Sequence, residues 1–447
     1  MDVTEILQFA DQLVFNKKGK HLDDLQKTVI TGVYEGKIYE TIAEECHRSE
    51  SRVRSVGRKL WKILSESLGE DINKYNFCWT IERVINNYQV VNFGDSNINY
   101  CQNSKESSEK KEENIADKFD QNLTLAPHII KLYNRETELK KLNNWISNQN
   151  IRLISVLGLS GIGKTTLVKK FVNLNLEHFE IIIWRSLNFP KSLDLLINNL
   201  LNVCKQEEKA TLDDKLEQLF GIFNNKKCLI ILDDVQNIFI RGQLAGQYQP
   251  EYQDYQNFFT RIIETEHQSH VILISQEKCK EMECLDEELY PVKCLDLSGL
   301  DDVEIISNMG LKDEDSWLNL INLYEGNPFY IKTIANSIKN IFDGYVSEFL
   351  AETELILTKD MQTHLQLLFN RLSPLEQQIV LKFSNSEQPL SREALKTSLE
   401  LSSTDLINSL QSLQQRYLVT KIKEDKILFK LSPVFREYVK NCCKDCS

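Results

Sequence analysis

Residues 151–172 read IRLISVLGLSGIGKTTLVKKFV, and this stretch decides the fold. Ile151–Leu157 is an apolar run of strand length. It enters a Gly-rich turn and then a helix expected over Lys164–Val172. From Gly158 the text fits G-x-x-x-x-G-K-S/T between a strand and a helix, the context the pattern requires. Gly158, Gly161 and Gly163 let the backbone curl. Successive N–H groups, those of Ser160 and Ile162 among them, then point at phosphate oxygens, and the helix start adds its positive dipole end. Lys164 reaches the β- and γ-phosphates as a point charge, Thr165 offers its hydroxyl to Mg²⁺, and Thr166 contacts the α-phosphate. A chance Gly-rich turn is the bland alternative, and strand, motif and helix in register argue against it.

Working outward, short apolar runs recur at Ile181–Trp184, Cys228–Leu232 and Val271–Ile274 with helical text between them. That pattern predicts parallel strands buried on both faces. The run CLIILDDV ends on two acids. Two acids after a strand are often only a turn. Downstream of a phosphate loop, Asp233 is placed to hold Mg²⁺ through water, and Asp234 to orient or deprotonate an attacking water. Upstream, Glu136, Leu139, Leu142 and Trp145 in LYNRETELKKLNNWI predict an amphipathic packing helix.

At 447 residues the chain is too long for one core, and 42% hydrophobic residues fit a folded protein. A net charge of -12 argues against a nucleic-acid-binding surface along the whole chain but not against a local basic face. No apolar run reaches the ~20 residues of a membrane span. The start, MDVTEILQFADQLVF, is not a secretory signal, so a cytoplasmic protein is expected. The 11 cysteines are then free thiols. The tail CCKDC (Cys442, Cys443, Cys446) lacks a second ligand pair at zinc-site spacing and reads as an untethered terminus.

These signals divide the chain. Residues 1–92 are helical, 93–124 are a polar, charged flexible linker, 125–297 are the α/β nucleotide-binding domain, 298–361 are a helical domain, 362–441 form a third region, and 442–447 are a tail. In the third region three helical segments precede VTKIKEDKILFKLS, which alternates as a β-hairpin, the outline of a winged helix.

Residues 125–441 resemble the NB-ARC branch of the STAND signalling ATPases, which includes plant disease-resistance and apoptosome-forming proteins. Tyr133-Asn134-Arg135-Glu136 stands for the entry motif, and the resemblance places Arg135 near adenine. Trp184-Arg185-Ser186 matches cyanobacterial-type members. Gly326-Asn327-Pro328 corresponds to the Gly-x-Pro motif, with Pro328 by the adenine or ribose. Two positions depart from the family. Gln276 stands where an arginine senses the γ-phosphate, and Ser432 where a histidine contacts the β-phosphate of ADP. The resemblance implies ATP or ADP with Mg²⁺, weak hydrolysis serving a switch, and homo-oligomers on activation in bacterial stress or phage-defence signalling. Many relatives carry WD40 or TPR repeats after the winged helix, and such a sensor is expected to be absent or on another polypeptide.

The text from Leu22 to Ile72 resembles the N-terminal helix-turn-helix of vWA-MoxR-associated signalling proteins. Thr41–Cys46, a turn at His47–Glu50 and Ser51–Leu64 give two helices. Val53, Val56, Leu60 and Ile63 stripe the second, and Arg52, Arg54, Arg58, Lys59 and Lys62 lie mostly off the stripe. A basic outer face suits either DNA or an acidic protein partner. The domain's acids roughly balance its bases, which favours a protein-interaction adaptor. The rival reading is an ATP-modulated DNA-binding transcription regulator.

Overall fold

The computed structural model describes residues 20–34, 37, 39–68, 120–123, 131–206, 209–282, 290–352, 354–386, 388–423 and 426–442, with scattered residues at 6–17, 72, 77 and 125–129. Two compact units meet in sequence at Glu109 and Lys110.

In the first unit the helices Asp24–Tyr34, Tyr39–Glu45 and Glu50–Leu68 pack round Val29, Ile30, Ile42, Val53, Leu60 and Leu64. The turn between the last two passes through His47 at φ 52, where the Arg48 N–H closes on the Ala43 carbonyl at 2.9 Å. Trp61 Nε1 donates to Tyr39 Oη at 2.7 Å, tying those helices together. A Cβ on Gly57 would stand 2.7 Å from the same hydroxyl, so only glycine admits this approach.

The second unit opens with a six-stranded parallel sheet. Its strands are β1 (Asp120–Asn122), β2 (Leu153–Leu157), β3 (Ile181–Ser186), β4 (Cys228–Asp233), β5 (His270–Ser275) and β6 (Val292–Asp296), in spatial order β1-β3-β4-β5-β2-β6. The four expected strands are its interior. Alternate residues of each feed two cores. On one face Ile154, Val156, Trp184 and Ile274 pack under the helices Glu136–Ser147 and Lys164–Leu174. On the other, Leu153, Leu157, Ile183 and Leu273 meet Leu196, Leu200, Phe223 and Phe258 from three further helices.

One expectation needs correcting. The linker drawn at 93–124 does not extend to 124: Asp120–Asn122 pairs in parallel with Ile181–Ile183 as the edge strand. Backbone hydrogen bonds, not apolar side chains, hold it there. Asn122 Oδ1 also accepts from Arg185 Nη1 at 3.1 Å. Residues 93–119 lie outside the described residues, as do Cys443 and Cys446 of the tail.

After β6 a continuous apolar core runs from Leu300 to Val439, across the boundary drawn at 361/362. The helices Trp317–Leu323, Pro328–Ile341 and Lys359–Phe369 lead to Pro374–Ser384, Arg392–Leu399 and Ser403–Gln415. The hairpin of β8 (Val419–Lys423) and β9 (Ile427–Leu431) is joined by β7 (Leu390–Ser391) in an antiparallel sheet ordered β7-β9-β8. Among the described residues no helix is long and apolar enough to cross a membrane.

Candidate functional site

In a parallel sheet the carboxyl ends of all strands lie on one edge, where ligands of such folds sit. Here β2, β4 and β5 deliver Leu157, Asp233 and Ser275 to that edge. Between them opens a cleft of about 240 Å³ lined by Ser160, Gly161, Gly163, Lys164, Thr165, Thr166, Asp233, Asp234, Gln236, Ile274 and Gln276.

The loop after β2 is shaped by backbone freedom. Gly163 caps the following helix at φ 102, a left-handed conformation costly to any side chain. At Gly161 (φ 79) a Cβ would come within 2.5 Å of Phe329 Cβ. Lys164, 7% exposed, donates to the carbonyls of Gly158 at 2.8 Å and Leu159 at 2.9 Å. Burial pushes its ammonium down to about 8, against the pull of Asp233 and Asp234. A buried cation beside a glycine-rich turn at a helix start is a phosphate site in its donor chemistry.

The Thr165 hydroxyl donates to Asp233 Oδ1 at 3.2 Å, and the Asp234 N–H donates to the same oxygen at 3.0 Å. Burial first, and the neighbouring Asp234 charge second, push the Asp233 carboxyl up to about 7. A divalent cation would favour its charged form. The donors here are hard oxygens, which suit Mg²⁺, so the residues present fit a Mg-nucleotide.

Asp234 sits at φ 62, which aims its carboxylate at Gln236 Nε2, 3.0 Å away. Gln236 Oε1 in turn accepts the Gln276 N–H at 3.2 Å. Gln236 thus joins the two strand ends of the cleft, and sequence reasoning missed it. The signal was only its position, two residues past Asp234.

Five expected residues stand outside the lining: Gly158 and Ile162 of the loop itself, and Arg135, Pro328 and Ser432. Arg135, 4% exposed, donates to the Ser298 carbonyl at 2.6 Å and pairs with Glu138 at 2.9 Å. Pro328 is the first residue of its helix, preceded by Asn327, whose Nδ2 donates to the Ser160 carbonyl at 3.0 Å. Ser432 is committed elsewhere: its hydroxyl donates to Glu325 Oε2 at 2.6 Å. In the first unit Arg52, Arg54, Arg58, Lys59 and Lys62 are all exposed, and Arg54 pairs with Glu50 at 2.8 Å.

Residues 1–84 match the vWA-MoxR associated protein N-terminal HTH, and residues 135–287 match the NB-ARC domain. An uncharacterized WD repeat-containing protein of Nostoc sp. is 32% identical over 337 residues, covering 71% of this chain and 27% of that protein. The ToMV resistance protein Tm-2(2) of Solanum lycopersicum is 29% identical over 115 residues, 24% of this chain and 13% of that protein. The chain therefore spans only a minor part of either relative's length. A Walker-type ATPase of Pyrococcus abyssi shares 15% identity at a TM-score of 0.45, covering 69% of this chain and 96% of that one. By these matches residues 135–287 belong to the NB-ARC domain family, and residues 1–84 to the N-terminal helix-turn-helix family of vWA-MoxR associated proteins.

Proposed function

We propose that the chain is a nucleotide-operated signalling switch. ADP or ATP with Mg²⁺ binds in the cleft, its phosphates on the loop from Gly158 to Thr166. Lys164 supplies the cation, and Thr165 and Asp233 hold the metal. The bound metal spreads charge off the phosphates. Asp234 positions water, Gln276 faces the γ-phosphate, and Arg135 and Pro328 border the adenine side. Hydrolysis is slow and serves to reset the switch.

One observation carries this reading. Two residues that line the cleft also bond residues from beyond β6: the Ser160 carbonyl accepts from Asn327, and the Gln236 carbonyl accepts from Arg371 Nη2 at 2.6 Å. A ligand in the cleft therefore acts on groups that the C-terminal region also grips. Nucleotide shifts such a balance only by binding one arrangement better. In this reading ADP favours the gripped arrangement, with 298–361 as helical domain and 362–441 as winged helix. ATP favours a released one that exposes an oligomerising surface. Stress or phage-defence signalling through a protein partner of the N-terminal domain is the setting we assign.

The test is mass photometry of the full chain with ADP and with a non-hydrolysable ATP analogue. Higher-mass species confined to the analogue support the switch, and the same monomer in both, with nucleotide bound, sinks it.

The five exposed basic side chains on the helix Glu50–Leu68 favour a second reading, an ATP-modulated transcription regulator. DNA binding that weakens steeply with salt would support it.

A further inference from the structure

We infer that Glu277, clamped by Arg371 and Arg416, is the latch that ties the C-terminal helices to the nucleotide cleft. The inference rests on the switch reading and names its regulation.

Gln276 and Glu277 are adjacent in the chain but serve opposite sides. Gln276 lines the cleft. Glu277 is 2% exposed and turns away. Its Oε1 accepts from Arg371 Nε at 2.7 Å, and Arg371 Nη2 closes on the same oxygen. Its Oε2 faces Arg416 Nη1 at 3.0 Å. Arg416 also donates to Glu376 Oε1 at 3.2 Å, and that carboxylate accepts from the Ser412 hydroxyl at 2.6 Å. Two cations and two anions are thus balanced with little water. Arg371, Glu376 and Arg416 are 8%, 0% and 6% exposed.

Such a cluster is poor glue. Taking the ions out of water costs about what their attraction returns, and a well-packed apolar cluster would hold as firmly. Its property is steepness. Remove or displace one member and an unpaired buried charge remains, so the cluster is either whole or open. Glu277 is the only member on the cleft side of the seam, and two short paths reach it. One is the peptide bond from Gln276. The other runs from Asp234 through the Gln236 side chain to the Gln236 carbonyl, which Arg371 holds. A group that draws Gln276 and Gln236 toward the phosphates pulls on both side-chain contacts of Arg371 together, while its carbonyl stays on the Gly242 N–H at 3.0 Å.

Hydrogen–deuterium exchange on the full chain tests this. In wild type we expect the ATP analogue to speed exchange at 371–376 and 412–418 relative to ADP. In Glu277→Gln those amides should exchange about a hundredfold faster with either nucleotide, the order of effect of breaking a buried pair. ADP should still protect 158–166 in that variant. Unchanged exchange at 371–376 and 412–418 in the variant, with 158–166 protected, overturns the latch. Loss of protection at 158–166 by any nucleotide in wild type overturns the nucleotide reading instead. If the variant unfolds and β4 exchanges as fast as the clamp, wild type decides: equal exchange at 371–376 with ADP and the analogue refutes the latch.

Discussion

Thr165 and Asp233 meet across the cleft, hydroxyl to carboxylate, at 3.2 Å. They come from different elements 68 residues apart. Replacing Asp233 with Asn keeps the shape and removes the charge a divalent ion needs. We expect Mg²⁺ to stop strengthening nucleotide binding in Asp233→Asn, a loss of tenfold or more for each ~1.4 kcal/mol of metal contact. Fluorescent-ADP titrations with Mg²⁺ and with EDTA measure this, and an undiminished Mg²⁺ effect would remove Asp233 from the metal site.

Lys164→Ala should abolish ADP-induced thermal stabilisation. The loop carries no other cation within its motif, and Lys164 is buried where its charge acts with little screening. A full shift in the variant would end the phosphate-loop assignment.

Asp234→Asn should bind nucleotide normally and hydrolyse it at least tenfold slower. Asn tolerates φ 62 and can still meet Gln236, so the backbone should stay put while the charge is lost. Single-turnover hydrolysis beside a binding isotherm separates the two effects. Equal loss of both would make Asp234 a binding group.

Gln276→Arg should accelerate single-turnover hydrolysis and raise the ratio of ATP to ADP affinity, since a cation facing developing phosphate charge in a dry site can be worth roughly 10³-fold. The backbone N–H of residue 276 would remain on Gln236. If rate and ratio stay as in wild type, the side chain at 276 does not face the γ-phosphate.

Acid should weaken the second unit. Burial depresses His267, His270 and His364 to about 4 from an ordinary value near 6.5. Above pH 6.5 these rings are neutral folded and unfolded. Below it the unfolded chain binds protons that the folded chain refuses, so stability falls as pH drops from about 6.5 toward 4. Asp233, pushed up to about 7, and Glu325, also raised by burial, work in the opposite sense, two groups against three. Thermal unfolding across that window should show a falling midpoint, and His270→Asn should flatten the slope. A midpoint flat from 6.5 to 4 in wild type would contradict the three neutral rings.

The sequence made the interior legible and hid the seams. β2, β3, β4 and β5 are buried on both faces, so each reads as a largely apolar run, broken in β2 only by Ser155. β6, VKCLD, is a sheet edge with a half-polar pattern, and β1 is wholly polar, so neither stood out. The cleft was legible because its groups lie in two short motifs. Gln236 was not, because one glutamine after two acids carries no pattern. The clamp was invisible for a different reason: Glu277 and Arg371 are 94 residues apart, and only the packed fold shows both are buried. Ser432 was located by analogy with a histidine, but its neighbour in space is Glu325, 107 residues away.

The polar edge strand has a practical consequence for anyone cutting the protein apart. Composition invites a shortened ATPase beginning at Leu125, where the text turns apolar. That cut would strip Asp120–Asn122 from β3 and leave the backbone of Ile181–Ile183 unsatisfied along one side. The bared segment, IIIWRS, is rich in β-branched residues and carries a single charge. It would recruit the same segment from other copies, and the fragment would precipitate. Starting the fragment a few residues before Asp120 keeps Ile181–Ile183 paired and leaves a short, polar strand at that edge.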